Sequence, residues 1–124
     1  MPTILLADDD IQLRTMLKQI LEIENYQVIE CDNGEKVLRY LIDNTVDLII
    51  TDLIMPKKEG IETINELRKL YPELPVIAMS GGSMTNSQVY LDIAKKLGVL
   101  YTFLKPFDIH EMLAAIKSVI SKNH

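Results

Sequence analysis

The chain has 124 residues, 48% of them hydrophobic and 25% charged, with 13 basic against 18 acidic side chains and a net charge of -5. This length suits one domain able to bury a core, and the acidic balance disfavours nonspecific binding to nucleic acid or an anionic membrane. The single cysteine, Cys31, cannot close an internal disulfide and no Cys/His spacing suits structural zinc; no apolar run approaches the roughly 20 residues of a membrane span.

Thr3 to Ala7 reads as a short buried strand ended by Asp8-Asp9-Asp10, too short and too acidic for a signal peptide. A cytoplasmic protein is therefore expected. Asp10 is a good N-cap for a helix whose apolar stripe is Leu13, Leu17, Ile20 and Leu21. Tyr26 to Glu30 is a second strand, and Asn33-Gly34 turns the chain into a helix carrying Val37, Leu38 and Leu41 on one face. Leu48-Ile49-Ile50 is apolar and rich in β-branched residues, as befits a central parallel strand buried on both faces. Asp52 stands at its end, because Met55-Pro56 and Glu59-Gly60 cannot continue it.

Gly60 opens a helix with Ile61, Ile64, Leu67 and Tyr71 inward, and Pro72 stops it. Pro75 to Met79 is a fourth strand, followed by a flexible Ser80-Gly81-Gly82-Ser83. A helix from about Thr85 to Leu97 is capped at Gly98, and Leu100 to Leu104 is the fifth strand. Lys105-Pro106 precedes a last helix with Met112, Leu113, Ile116, Val119 and Ile120 on its buried side. Five strands alternating with five helices predict a doubly wound (βα)5 fold, a parallel sheet covered on both faces.

In such sheets ligands bind beyond the carboxyl ends of the strands. Those ends carry, in chain order, Asp8-Asp9, Asp52, Ser80 and Lys105, whereas strand 2 ends in Glu30-Cys31 and adds nothing comparable. Two carboxylates about 4 Å apart repel by roughly 4 kcal/mol at an effective dielectric near 20, so such a cluster persists by taking up protons or a cation. Oxygen-only ligands with room for water suit Mg²⁺. A carboxylate, a metal, a lysine and a hydroxyl together form a phosphoryl-transfer constellation with Asp52 as nucleophile. Each residue alone has a plainer reading: turn cap, solvated helical turn, loop hydroxyl or surface lysine. Their convergence at four strand ends carries the inference.

Four stretches also resemble the receiver domain of the two-component response-regulator family, in order and in spacing. They are Ile4-Leu5-Leu6-Ala7-Asp8-Asp9-Asp10, Leu48-Ile49-Ile50-Thr51-Asp52-Leu53-Ile54-Met55-Pro56, Met79-Ser80 and Lys105-Pro106-Phe107. The resemblance implies a flavodoxin-like sheet of order 2-1-3-4-5, one receiver domain over residues 1–124, and a cis Lys105-Pro106 bond. It implies that Asp52 is the phosphoacceptor and Asp9 a direct Mg²⁺ ligand. Asp8 would be a partner of the metal through water, and the backbone carbonyl of Ile54 would also face it. Ser80 falls at the hydroxyl that moves toward the phosphoryl group, and Lys105 at the position that pairs with its oxygens. The family's usual aromatic switch residue, three places before the lysine, is here Thr102, with Tyr101 and Phe103 expected on the opposite sheet face. The segment from Ser80 to Lys105 is also a few residues longer than in typical members, with Gly81-Gly82 after the hydroxyl.

The function implied is a switch phosphorylated by a histidine kinase or histidine phosphotransfer protein and read by a downstream protein target. Such a protein catalyses its own phosphorylation and dephosphorylation without being a turnover enzyme, and is expected to be a monomer. If the chain is the whole protein it stands alone; otherwise it is the receiver of a larger regulator or hybrid kinase. A non-phosphorylated interaction module has no need of the full acid, hydroxyl and lysine set. An aspartyl phosphatase needs its nucleophile on strand 1 and a Thr or Val where Gln12 stands, and three aspartates after strand 1 would repel a flavin phosphate.

Overall fold

The five apolar runs form strands β1 (Thr3–Ala7), β2 (Gln27–Cys31), β3 (Leu48–Asp52), β4 (Val76–Gly81) and β5 (Tyr101–Lys105). This is a computed structural model that describes residues 1–54, 60–81 and 87–123. The helices are α1 (Ile11–Ile23), α2 (Gly34–Asp43), α3 (Gly60–Leu70), α4 (Ser87–Lys96) and α5 (Ile109–Asn123). The strands pair in parallel in the order β2-β1-β3-β4-β5, as expected.

Alternation along each strand divides the core in two. Ile4, Leu6, Leu48, Ile50, Ile77 and Met79 pack with Leu17 and Leu21 of α1 and Met112 and Ile116 of α5. Leu5, Ala7, Ile49, Val76 and Ala78 turn the other way, onto Val37 and Leu41 of α2, Ile64 and Leu67 of α3, and Leu91 and Ala94 of α4. β3 is buried along its whole length, which is why its sequence shows no polar alternation. Each fully buried Leu or Ile contributes about 1.5–3 kcal/mol relative to exposure, so these two layers dominate the stability.

The helix signals operate as read. Asp10 accepts from the Gln12 and Leu13 amides, and Asn33 from Lys36. Gly98, at φ +92°, follows α4 in the left-handed conformation that glycine tolerates. Tyr71 lies one residue beyond α3 and donates its hydroxyl to the Leu41 carbonyl at 3.2 Å.

Strand boundaries are corrected at β2, β4 and β5, the last running from Tyr101 to Lys105 rather than from Leu100 to Leu104. Ser80 and Gly81 belong to β4 rather than to a loop, because β5 supplies partners in register at Leu104 and Lys105 and the ladder outweighs glycine's poor strand propensity. β2 includes Cys31, which pairs with Ala7 and is buried. The turn expected at Met55-Pro56 and Glu59, the residues Gly82 and Ser83, and the helix start at Thr85 lie outside the described residues.

Burial pushes the Cys31 thiol up to about 11 from an ordinary 9.0. Below both values this leaves about 100-fold less thiolate, of which the greater nucleophilicity of a more basic thiolate returns about tenfold. Cys31 in the native chain should therefore react with Ellman's reagent at pH 8 at least tenfold more slowly than in the urea-unfolded chain, by the same reasoning about ionisation. Its rate should keep rising with pH up to about 11. Equal native and unfolded rates would contradict this burial.

Candidate functional site

The sheet order places the topological switch between β1 and β3, since the chain leaves β1 for β2 on one side and returns to β3 on the other. Asp8 follows β1 and Asp52 ends β3, so their carboxylates face the same crevice. Both are buried, with Asp8 0% and Asp52 5% exposed, whereas Asp9 is open to solvent. Lys105 leaves the end of β5 and extends past β4. Its Nζ donates to Asp8 Oδ2 and to Asp52 Oδ2, each at 2.7 Å.

The remaining oxygens are held by the backbone. Asp8 Oδ1 accepts from the Asp10 amide at 2.9 Å, and Asp52 Oδ1 from the Ile54 amide at 3.1 Å. Asp52 is fixed from its main chain as well, where Thr51 Oγ1 donates to its carbonyl at 2.9 Å. Gly60 opens α3 directly against this point, its amide donating to the Leu53 carbonyl at 3.0 Å. A Cβ on residue 60 would lie 2.5 Å from the Asp52 carbonyl oxygen.

Among the described residues, one lysine faces three acids and does not neutralise them. Burial pushes the Asp52 carboxyl above the usual carboxylate range; the Lys105 hydrogen bond opposes this, and the Asp8 charge adds to it. Burial acts to lower Lys105, but its hydrogen bonds to Asp52 and Asp8 outweigh it and leave the ammonium above its ordinary value. The net effect is a basic, partly desolvated carboxylate beside a firmly protonated lysine. Asp8, Asp9 and Asp52 each offer a carboxylate oxygen within 4.8 Å of the others. An all-oxygen, multiply anionic donor set with one member exposed fits a hard divalent cation.

Ser80 is buried, and its Oγ has no hydrogen-bond partner among the described residues. Register puts it one step beyond Met79, the residue paired with Asp52. Thr102 pairs with Ala78, whose side chain belongs to the layer of α2, α3 and α4. It is not part of the charged group. Phe103 packs in the α1/α5 layer and Tyr101 Oη donates to Ser118 Oγ of α5 at 3.4 Å, so both aromatics lie on the opposite face as expected. The Lys105–Pro106 bond is cis.

Sequence reasoning placed strand 2 but missed the part that Glu30, near its end, plays beside the site. Glu30 accepts from Arg14 Nε at 3.0 Å and from Lys18 Nζ at 3.3 Å, while Arg14 Nη1 donates to the Asp8 carbonyl at 2.7 Å. The Arg14 hydrogen bond holds the Glu30 carboxyl below its ordinary range. A basic residue on α1 one turn after a capping aspartate was the available signal, but nothing local marked its partner.

The fold and the site define a class. The model of the response regulator receiver domain matches residues 4–117, and the chain belongs to that family. Among curated relatives, the transcriptional regulatory protein CpxR of Klebsiella pneumoniae is 36% identical over 124 residues, all of this chain and 51% of that protein. The DNA-binding transcriptional regulator NtrC of Azospirillum brasilense is 34% identical over 98% of this chain and 24% of its own length. The chain thus spans about half, or a quarter, of the relatives it matches. Among solved structures, a response regulator receiver domain protein from Clostridium thermocellum superposes with a TM-score of 0.89 at 27% identity, over 99% of this chain and 97% of that one. The response regulator TrrA from Thermotoga maritima, solved in complex with Mg²⁺ and BeF, gives a TM-score of 0.84 at 27% identity, over 96% and 99% of the two chains. No helix among the described residues is long and apolar enough to cross a membrane.

Proposed function

We propose that this receiver accepts a phosphoryl group on Asp52 from a phosphohistidine of a histidine kinase or histidine phosphotransfer protein, and that a downstream protein reads the change. The observation that carries the reading is the Lys105 ammonium shared between Asp8 and Asp52 at 2.7 Å each. A carboxylate oxygen of Asp52 attacks phosphorus, a P–O bond forms, the P–N bond breaks, and the imidazole leaves with a proton from solvent. Burial that raises the basicity of Asp52 favours this attack. Lys105, released from Asp52, pairs with a phosphoryl oxygen. The Ser80 hydroxyl, without a hydrogen-bond partner among the described residues, is available to donate to another. Water later hydrolyses the acyl phosphate, so the protein acts as a timed switch and not as a turnover enzyme.

Mg²⁺ would be held by Asp9 directly, by Asp8 through water, and by Asp52 and the Ile54 carbonyl; when bound it offsets charge on the phosphoryl oxygens. The exposure of Asp9, beside a fully buried Asp8, supports the direct role for Asp9. Acetyl phosphate with Mg²⁺ should add one base-labile phosphoryl group, and EDTA should suppress it. Asp9→Ala should weaken Mg²⁺ binding more than Asp8→Ala, by about tenfold or more against the parent, as read by calorimetry with MgCl₂. Parent-like affinity in Asp9→Ala would remove that residue from the metal site.

A further inference from the structure

The acidic pair depends on one peptide plane. The Asp8 carbonyl belongs to the planar unit that links residue 8 to residue 9, so its direction sets how the two side chains stand relative to each other. The Asp8 amide makes the last rung of the β1–β2 ladder, donating to the Cys31 carbonyl at 3.1 Å. β2 stops there, and the chain turns at Asn33 into α2. The Asp8 carbonyl receives Arg14 Nη1 at 2.7 Å instead of a further strand amide. The guanidinium is itself held, with its side chain only 15% exposed and Nε on Glu30 Oε1 at 3.0 Å. Glu30 in turn is tied to Lys18 at 3.3 Å. One planar fork from α1 therefore joins a side chain of β2 to the main chain that follows β1.

The geometry points to Arg14 as a positioning residue for the cation site: it fixes the Asp8–Asp9 peptide plane and so the spacing of the two carboxylates, without touching the cation. This inference rests on the Mg²⁺ reading above. Asp9 gains most from it, because its carboxylate is exposed and Asp8 and Asp52 are already held by Lys105. Planarity and two bonds at fixed angles are what an arginine supplies and a lysine does not.

Geometry and charge predict opposite signs. A guanidinium that acted only as a nearby positive charge would repel Mg²⁺, and its removal would tighten binding. A guanidinium that orients the acids strengthens binding, and its removal weakens it. The test is a titration of MgCl₂ alone into the full chain, followed by amide NMR shifts, for the parent, Arg14→Ala, Arg14→Lys and Glu30→Gln, with a thermal melt of each. Arg14→Ala should bind Mg²⁺ about tenfold more weakly while remaining folded. Arg14→Lys should not restore the affinity, and Glu30→Gln should fall between the parent and Arg14→Ala. If Arg14→Ala does not fold, Arg14→Lys and Glu30→Gln decide by the same affinities. Parent-like or tighter affinity in the folded Arg14 variants overturns the role, whatever their melting temperatures. A parent that binds no Mg²⁺ overturns the cation site itself, and this role with it.

Discussion

Asp52→Asn is expected to abolish phosphoryl incorporation from acetyl phosphate while leaving the fold intact. An amide oxygen is a poor nucleophile, and no neighbouring acid among the described residues replaces it. Asp8 is fully buried, and Asp9 lies in solvent without a lysine of its own among the described contacts. The same substitution should leave the protein as stable as the parent or more so. The folded Asp52 carboxyl lies above the ordinary value of 3.8, so its ionised form is disfavoured by folding, first by burial and then by the Asp8 charge. For an acid raised in this way, stability is highest below the unfolded value and declines as pH rises through it toward the folded one. At neutral pH, Asp52→Asn removes that unfavourable charge and keeps an oxygen for the Ile54 amide or Lys105. Mass spectrometry of the labelled chain and a thermal melt at pH 7 check both parts. Parent-level labelling in Asp52→Asn would displace it as the acceptor.

Gly60→Ala should lower stability by about 1–3 kcal/mol, the scale of overpacking a filled interior, or roughly 4–12 °C in melting temperature for a domain of this size. Two effects compete. Alanine is better than glycine within a helix by up to about 1 kcal/mol, so a free helix start would gain. Here the new Cβ lies 2.5 Å from the Asp52 carbonyl oxygen, 2.5 Å from Leu53 Cα and 2.9 Å from the Leu53 carbonyl carbon. All three are backbone atoms of the end of β3 or of the buried residue that follows it, and no flexible side-chain tip can give way. The clash should therefore win. Because it shifts the carbonyl of the acceptor residue itself, phosphoryl incorporation should slow as well. A melting temperature equal to or above the parent's would mean that β3 and α3 can separate freely.

The sequence alone determined the strands, the helices and the class of sheet. The evidence for each is local: the unbroken apolar run Leu48-Ile49-Ile50, the cap at Asp10, the glycine at 98 and the stripe from Met112 to Ile120. Such patterns follow from the backbone period and from a residue's nearest neighbours. They also placed Asp8, Asp9, Asp52 and Lys105 at one sheet edge, since every strand of a parallel sheet ends on the same side. Only the tertiary structure decided how those groups divide the site. Lys105 meets Asp8 across 97 residues of chain and Asp52 across 53, separations that no local pattern encodes. The burial of Asp8 beside an exposed Asp9, the extension of β4 through Ser80, and the approach of Gly60 to Asp52 each depend on what another element brings alongside. The same holds for Glu30, an ordinary exposed strand residue by sequence, which holds Arg14 against the Asp8 carbonyl because β2 lies beside β1 with α1 above them.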